Sequence, residues 1–178
     1  MNPSILWRKL KTFARKSWAA RALFFEIYVR LGLARASVLT LPFKRLSRNW
    51  GVPHYEGLRT PHDAEERAFL HQLAWALRTA SRYTPWNSNC LAQAITAKQI
   101  LQRKGYDSTL YLGMMTPKRS AKGEAAAHAW LRCGDTWICG FRASRGFTVV
   151  GTFTETVGDA GETLADLPDL GETFAQLK

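Results

Sequence analysis

Cysteine is scarce in this sequence, and its three thiols, Cys90, Cys133 and Cys139, are odd in number. No CxxC pair occurs and His128 is the only histidine near them, so neither a disulfide framework nor a zinc site is indicated, and no metal or cofactor is expected. A reducing cytoplasm is the expected location. Acidic residues are almost missing from the first 50 positions, where Glu26 stands alone against 11 Lys and Arg. Long uncharged runs are missing too. Arg21, Glu26, Arg30 and Arg35 interrupt the apolar stretch from Ala19 to Phe43, which falls short of the roughly 20 apolar residues of a membrane span. No short, uniformly apolar core precedes a small-residue cleavage site, so a soluble protein is expected. The lack of heptads, short repeats and biased tracts sets aside coiled-coil, collagen-like and low-complexity readings.

What is present suits one folded domain. The 178 residues include 46% apolar and 12% aromatic side chains, seven of them Trp, enough to bury a core and unlike a disordered basic tail. The formal charge of +11 is unevenly spread: +10 over residues 1–50, +6 over 51–150 and −5 over 151–178. These regimes divide the chain into a basic arm (1–50), a core (51–155) and an acidic tail (156–178).

In the arm, Leu23, Ile27, Leu31 and Val38 recur near helical spacing, which predicts one or two amphipathic helices ending near Pro42. Their apolar face is expected to pack on the domain behind it or on a partner, with contact to a membrane surface as an alternative. Nothing resembles a helix-turn-helix, a ribonucleoprotein aromatic motif or a Cys/His finger, so no nucleic-acid partner is expected. After a break at Trp50–Pro53, Pro61-His62-Asp63 caps a helix over 64–81, with Leu70, Leu73, Ala74 and Leu77 on one face. A loop of turn formers, Thr84 to Asn89, leads into a second helix, Leu91 to Lys104, closed by Gly105. Cys90 therefore stands at a helix start. Beyond Gly105 the pattern becomes that of strands, over 108–114, 127–133, 136–141 and 147–153. Cys133-Gly134-Asp135-Thr136 reads as a hairpin turn that sets 128–132 antiparallel to 137–141. Helices first and an antiparallel sheet second make an α+β fold.

A thiol at a helix N-terminus faces unpaired amides and the positive end of the helix dipole, which favour a thiolate and can hold an oxyanion. A lone Cys is more often a small buried apolar residue. The second feature is His128, in a strand of otherwise apolar residues, Ala127-His128-Ala129-Trp130. A helix-borne Cys facing a strand-borne His is the arrangement in which imidazole takes the thiol proton and later protonates the leaving amine. Spacing alone leaves a catalytic pair and an inert core pair both open.

The blocks Asn89-Cys90-Leu91-Ala92-Gln93-Ala94, Leu101-Gln102-Arg103-Lys104-Gly105, Leu112-Gly113 and Ala127-His128-Ala129-Trp130-Leu131 resemble the bacterial transglutaminase-like family of lasso peptide leader peptidases. So does Leu41-Pro42-Phe43-Lys44-Arg45-Leu46 at the end of the arm. The resemblance spans roughly residues 8 to 153. It implies a transglutaminase/papain-like core and cysteine-dependent removal of a leader from a ribosomally made precursor peptide. Cys90 would be the nucleophile and His128 the general base and acid. It also implies a separate leader-recognition protein and an ATP-dependent lasso cyclase as partners. The family's third residue is an Asp about a dozen residues after the His, where this sequence has Gly140. Asp135 is the nearest acid, but the hairpin places it in the turn, on the order of 20 Å from His128 at about 3.3 Å per residue. His128 would then be oriented by a backbone carbonyl or another side chain, and an acid introduced at 140 would stand opposite it if the sheet has room.

The other candidates are structural in their simplest reading. Cys133 and Cys139 flank the hairpin as buried thiols, with a redox pair as the alternative. Trp130 and Trp137 are core or groove aromatics, Trp86 is a candidate for the substrate groove, and His54, His62 and His71 show no ligand spacing. Two further functions stand beside the peptidase: a non-catalytic peptide-binding protein of the same fold, and a Cys-His acyltransferase.

Overall fold

The computed structural model describes residues 17–57, 59, 63–118 and 124–155; His62, the first part of the arm and the acidic tail lie outside these. Among the described residues the helices are α1 (Trp18–Thr40), α2 (Phe43–Leu46), α3 (Ala64–Ser81) and α4 (Cys90–Arg103). The strands are β1 (Val52–Pro53), β2 (Ser108–Met115), β3 (Ala126–Cys133), β4 (Thr136–Cys139) and β5 (Thr148–Thr154). They form one antiparallel sheet in the order β1-β5-β2-β3-β4.

Local signals set the helix ends. Asp63 and Glu66 form a reciprocal capping box at the start of α3, with bonds of 2.8 and 3.1 Å. The Asn89 side chain accepts from the Ala92 amide at 2.9 Å and starts α4. Gly105, at φ +76, ends it: Tyr106 N–H reaches the Leu101 carbonyl and Gly105 N–H that of Gln102, both at 3.0 Å. Pro42, extended at φ −67 and ψ 149, stands between α1 and α2.

Three layers result. α4 packs on β2, β3 and β4, and α3 on β4; α1 then lies across α3 and α4. Leu23, Ile27, Leu31 and Val38 of α1 join Leu70, Leu73 and Leu77 of α3 and Ile95, Ile100 and Leu101 of α4 in a single apolar cluster. Ile27 and Leu31 are fully buried, each stabilising the fold by about 1.5–3 kcal/mol. Lys98 of α4 is 1% exposed and reaches Glu155, past the end of β5, at 2.6 Å and the Ser108 carbonyl at 2.9 Å, which ties helix to sheet.

Two expectations about the last strands need correction. The segment after the hairpin leaves the sheet at Cys139, and Phe141–Ala143 form a 3-10 turn. Gly140 between them has φ +79, which a continuing strand cannot accommodate. The register also slips: Cys133 pairs with Thr136 and Arg132 with Trp137, but Leu131 pairs with Cys139, so one residue bulges out. Residues 128–130 therefore have no β4 partner. The break at Trp50–Pro53 also contains the edge strand β1, where Pro53 lacks only an amide on a rim.

Candidate active site

The loop before α4 is wired from within. Thr84 Oγ1 lies 2.8 Å from Ser88 Oγ, and Gln93 Nε2 donates to the Ser88 carbonyl at 2.7 Å. Trp86 anchors the loop to α1: its ring meets Tyr28 edge-on at 5.4 Å, and a Cβ on Gly32 would stand 3.0 Å from it. The expected groove aromatic is therefore a strut for the loop that delivers Cys90. Cys90 occupies the first position of α4, half-buried, with Asn89 as its cap.

His128 comes from β3 on the face opposite Ala129 and Leu131, which enter the helix-facing core. Its ring stacks on Trp130 at 5.8 Å and leans on Phe147 at 5.3 Å. Across β2 its register partner is Gly113, where a Cβ would come within 2.5 Å of the Trp130 ring. A side chain there would push Trp130 off the imidazole. His128 Nε2 lies 2.8 Å from the Gly140 carbonyl oxygen. A carbonyl only accepts, so Nε2 carries a proton in either charge state, and in the neutral ring Nδ1 is the nitrogen with the lone pair.

Cys90 and His128 share a hydrogen bond. Because β4 has ended, the Ala129 amide is available and also bonds the Cys90 sulfur, as does the Leu91 amide. Burial pushes the Cys90 thiol up, but the His128 hydrogen bond, the Ala129 amide, the His128 charge and the Leu91 amide together hold it below its ordinary value. For His128, burial pulls down, while the bonds to Cys90 and Gly140 raise it above the ordinary imidazole range. The two opposed shifts favour a thiolate–imidazolium pair, the reactive form of a nucleophilic cysteine.

The remaining candidates fall outside the pair. Asp135 is exposed in the turn and accepts from its neighbour Thr136 Oγ1 at 3.0 Å. Cys133 and Cys139 are not joined in a disulfide; both thiols are pushed up to about 12, chiefly by burial, and they are not register partners. His54 has an unpartnered buried Nδ1. No group of three or more potential metal ligands occurs among the described residues. An acid at position 140 has no room: a Cβ there would meet the Ala129 carbonyl oxygen at 2.4 Å and Trp130 Cβ at 2.7 Å.

One feature had no sequence signal. A cavity of about 560 Å³ lies behind the Gly140 turn, with Gln93 and Gly140 on its wall. Arg78 from α3 and Arg142 from the 3-10 turn give it positive charge, His71 of α3 adds a polar ring to its wall, and Trp137 stacked on Phe141 at 4.1 Å gives it an apolar floor. These residues are scattered over 72 positions, so only the tertiary fold assembles them.

The family model described as the transglutaminase-like superfamily matches residues 36–152, about two thirds of the chain. The chain belongs to that superfamily, which includes cysteine proteases built on Cys-His-Asp triads. No curated protein and no solved structure matches it.

Proposed function

We propose that this protein is a cysteine peptidase that removes the leader from a ribosomally made precursor during lasso peptide maturation, with Cys90 as nucleophile and His128 as general base and acid. The observation that carries this reading is the relay Cys90–His128–Gly140 at the start of α4, in which a main-chain carbonyl takes the place of an orienting acid.

The Cys90 thiolate attacks the scissile carbonyl and forms a C–S bond, and the carbonyl oxygen becomes an oxyanion. The Cys90 amide, a first-turn donor without an intrahelical partner, holds that oxyanion in this reading. His128 gives its Nδ1 proton to the departing amine as the C–N bond breaks, leaving a thioester on Cys90. Water then loses a proton to Nδ1 and attacks the thioester, which releases the acid and the thiol. Gly140 holds Nε2–H throughout and keeps the ring in one tautomer. The positive cavity behind the turn seats an acidic stretch of the precursor. The leader-recognition protein and the lasso cyclase act with it as separate partners.

The test is mass spectrometry of a synthetic precursor incubated with the protein, its leader-recognition partner and an amine acceptor. A leader fragment with a free carboxylate, lost in Cys90→Ala, supports the peptidase. An amide to the acceptor would make it an acyltransferase, and an intact precursor would make it a binding protein.

A further inference from the structure

Helix α1 is apolar on two opposite faces. The inner face packs on α3 and α4, as described. On the outer face Trp18, Phe25, Val29 and Leu33 are 77, 61, 59 and 63% exposed, and Ala22 and Ala36 continue the same line. Positions 18, 22, 25, 29, 33 and 36 fall on one side of a helix, so they form a single stripe rather than scattered surface residues.

Charge says what covers it. Arg21 and, further round, Arg35 flank the stripe on one side; on the other Glu26 comes first, held by Arg30 beyond it. The Arg21 guanidinium lies over the Trp18 ring at 5.4 Å. Lys44, Arg45 and Arg48 are exposed just past the helix end, and Arg8, Lys9, Lys11, Arg15 and Lys16 precede it. The one acid of the first 50 residues, Glu26, is already committed to Arg30 and Arg103. A second copy laid stripe to stripe would bring two strongly cationic regions together, with no uncommitted acid in the first 50 residues of either to pair them.

We infer that the outer face of α1 lies on an anionic lipid surface. An interfacial helix needs a straight apolar stripe, arginines long enough to bury their stems and reach lipid phosphates, and aromatics at the headgroup level. α1 has all three. It lies flat and does not span, since no helix of the described residues is long and apolar enough to cross a membrane. The surrounding cations supply the preference for anionic headgroups. The inference stands apart from the catalytic reading.

The full chain is sedimented with vesicles of phosphatidylcholine alone and of phosphatidylcholine and phosphatidylglycerol in equal parts, at low and high salt. The expected result is binding to the anionic vesicles that weakens with salt. The triple variant Phe25→Ser, Val29→Ser, Leu33→Ser, unaltered in circular dichroism because these side chains are exposed, should bind at least about tenfold more weakly. No binding to anionic vesicles overturns the inference. Unchanged binding by the triple variant also overturns it, because the basic residues alone would then account for the attraction. Loss of self-association in that variant, seen by analytical ultracentrifugation without any vesicle binding, would reassign the stripe to a second copy.

Discussion

The Gly140 carbonyl stands 2.8 Å from Nε2 of His128, so a main-chain group fills the place of the acid that orients histidine in Cys-His-Asp sites. The carbonyl lies just past the β4 register slip, on a residue in the left-handed conformation at φ +79.

If this pair is catalytic, Cys90→Ala and His128→Ala each lower precursor cleavage by at least about a thousandfold with unchanged thermal unfolding. Cys133→Ser should retain cleavage, because its thiol is buried between α4 and the sheet and pushed up to about 12. Full cleavage by either of the first two variants would remove the proposed roles.

Alkylation of Cys90 by iodoacetamide should follow the thiolate fraction. With Cys90 held below its ordinary value and His128 above its own, the rate should rise at a pH below that of a free thiol and stay high while the imidazolium persists. Above the His128 transition the charge that favours the thiolate is gone, but the thiol is by then ionised on its own. In His128→Ala the midpoint should move upward, because burial then opposes the two amides alone. An unmoved midpoint would show that the pair is uncoupled.

Gly140→Asp should lower activity by at least about tenfold rather than restore a triad. Its Cβ clashes with Ala129 and Trp130, and a non-glycine residue at φ +79 costs about 1–2 kcal/mol. Asp135→Asn should change the rate by less than about tenfold, since that carboxylate is exposed in the turn. Steady-state kinetics of both variants decide the matter; a large loss in the second would place Asp135 in the mechanism.

Arg78→Glu and Arg142→Glu should each raise KM for an acidic precursor about fivefold with little change in kcat, because both line the cavity and neither touches the pair. Equal KM values for wild type and both variants would remove the cavity from substrate binding.

Gly113→Ala should cost about 1–3 kcal/mol in denaturant unfolding and slow cleavage, because its Cβ enters the Trp130 ring that stacks on His128. Wild-type stability would mean that the ring has room to move.

The sequence by itself determined the pieces that depend on near neighbours. The inward residues of α1, α3 and α4 follow a 3.6-residue period, Asn89 and Gly105 bound α4, and the Cys133–Thr136 turn pairs β3 with β4. Cys90 and His128 were legible as chemical types at a helix start and in an apolar strand. Only the tertiary structure decided how they work. A bulge of one residue is a small local energy difference, so neither the early end of β4 nor the Gly140 carbonyl can be read from strand propensity. The cations of the cavity come from α3 and from the turn after β4, which share no spacing. On α1, apolar residues occur nearly all round. Periodicity could mark Leu23, Ile27, Leu31 and Val38, but the exposed stripe on the other side became visible only once α3 and α4 had claimed the inner face.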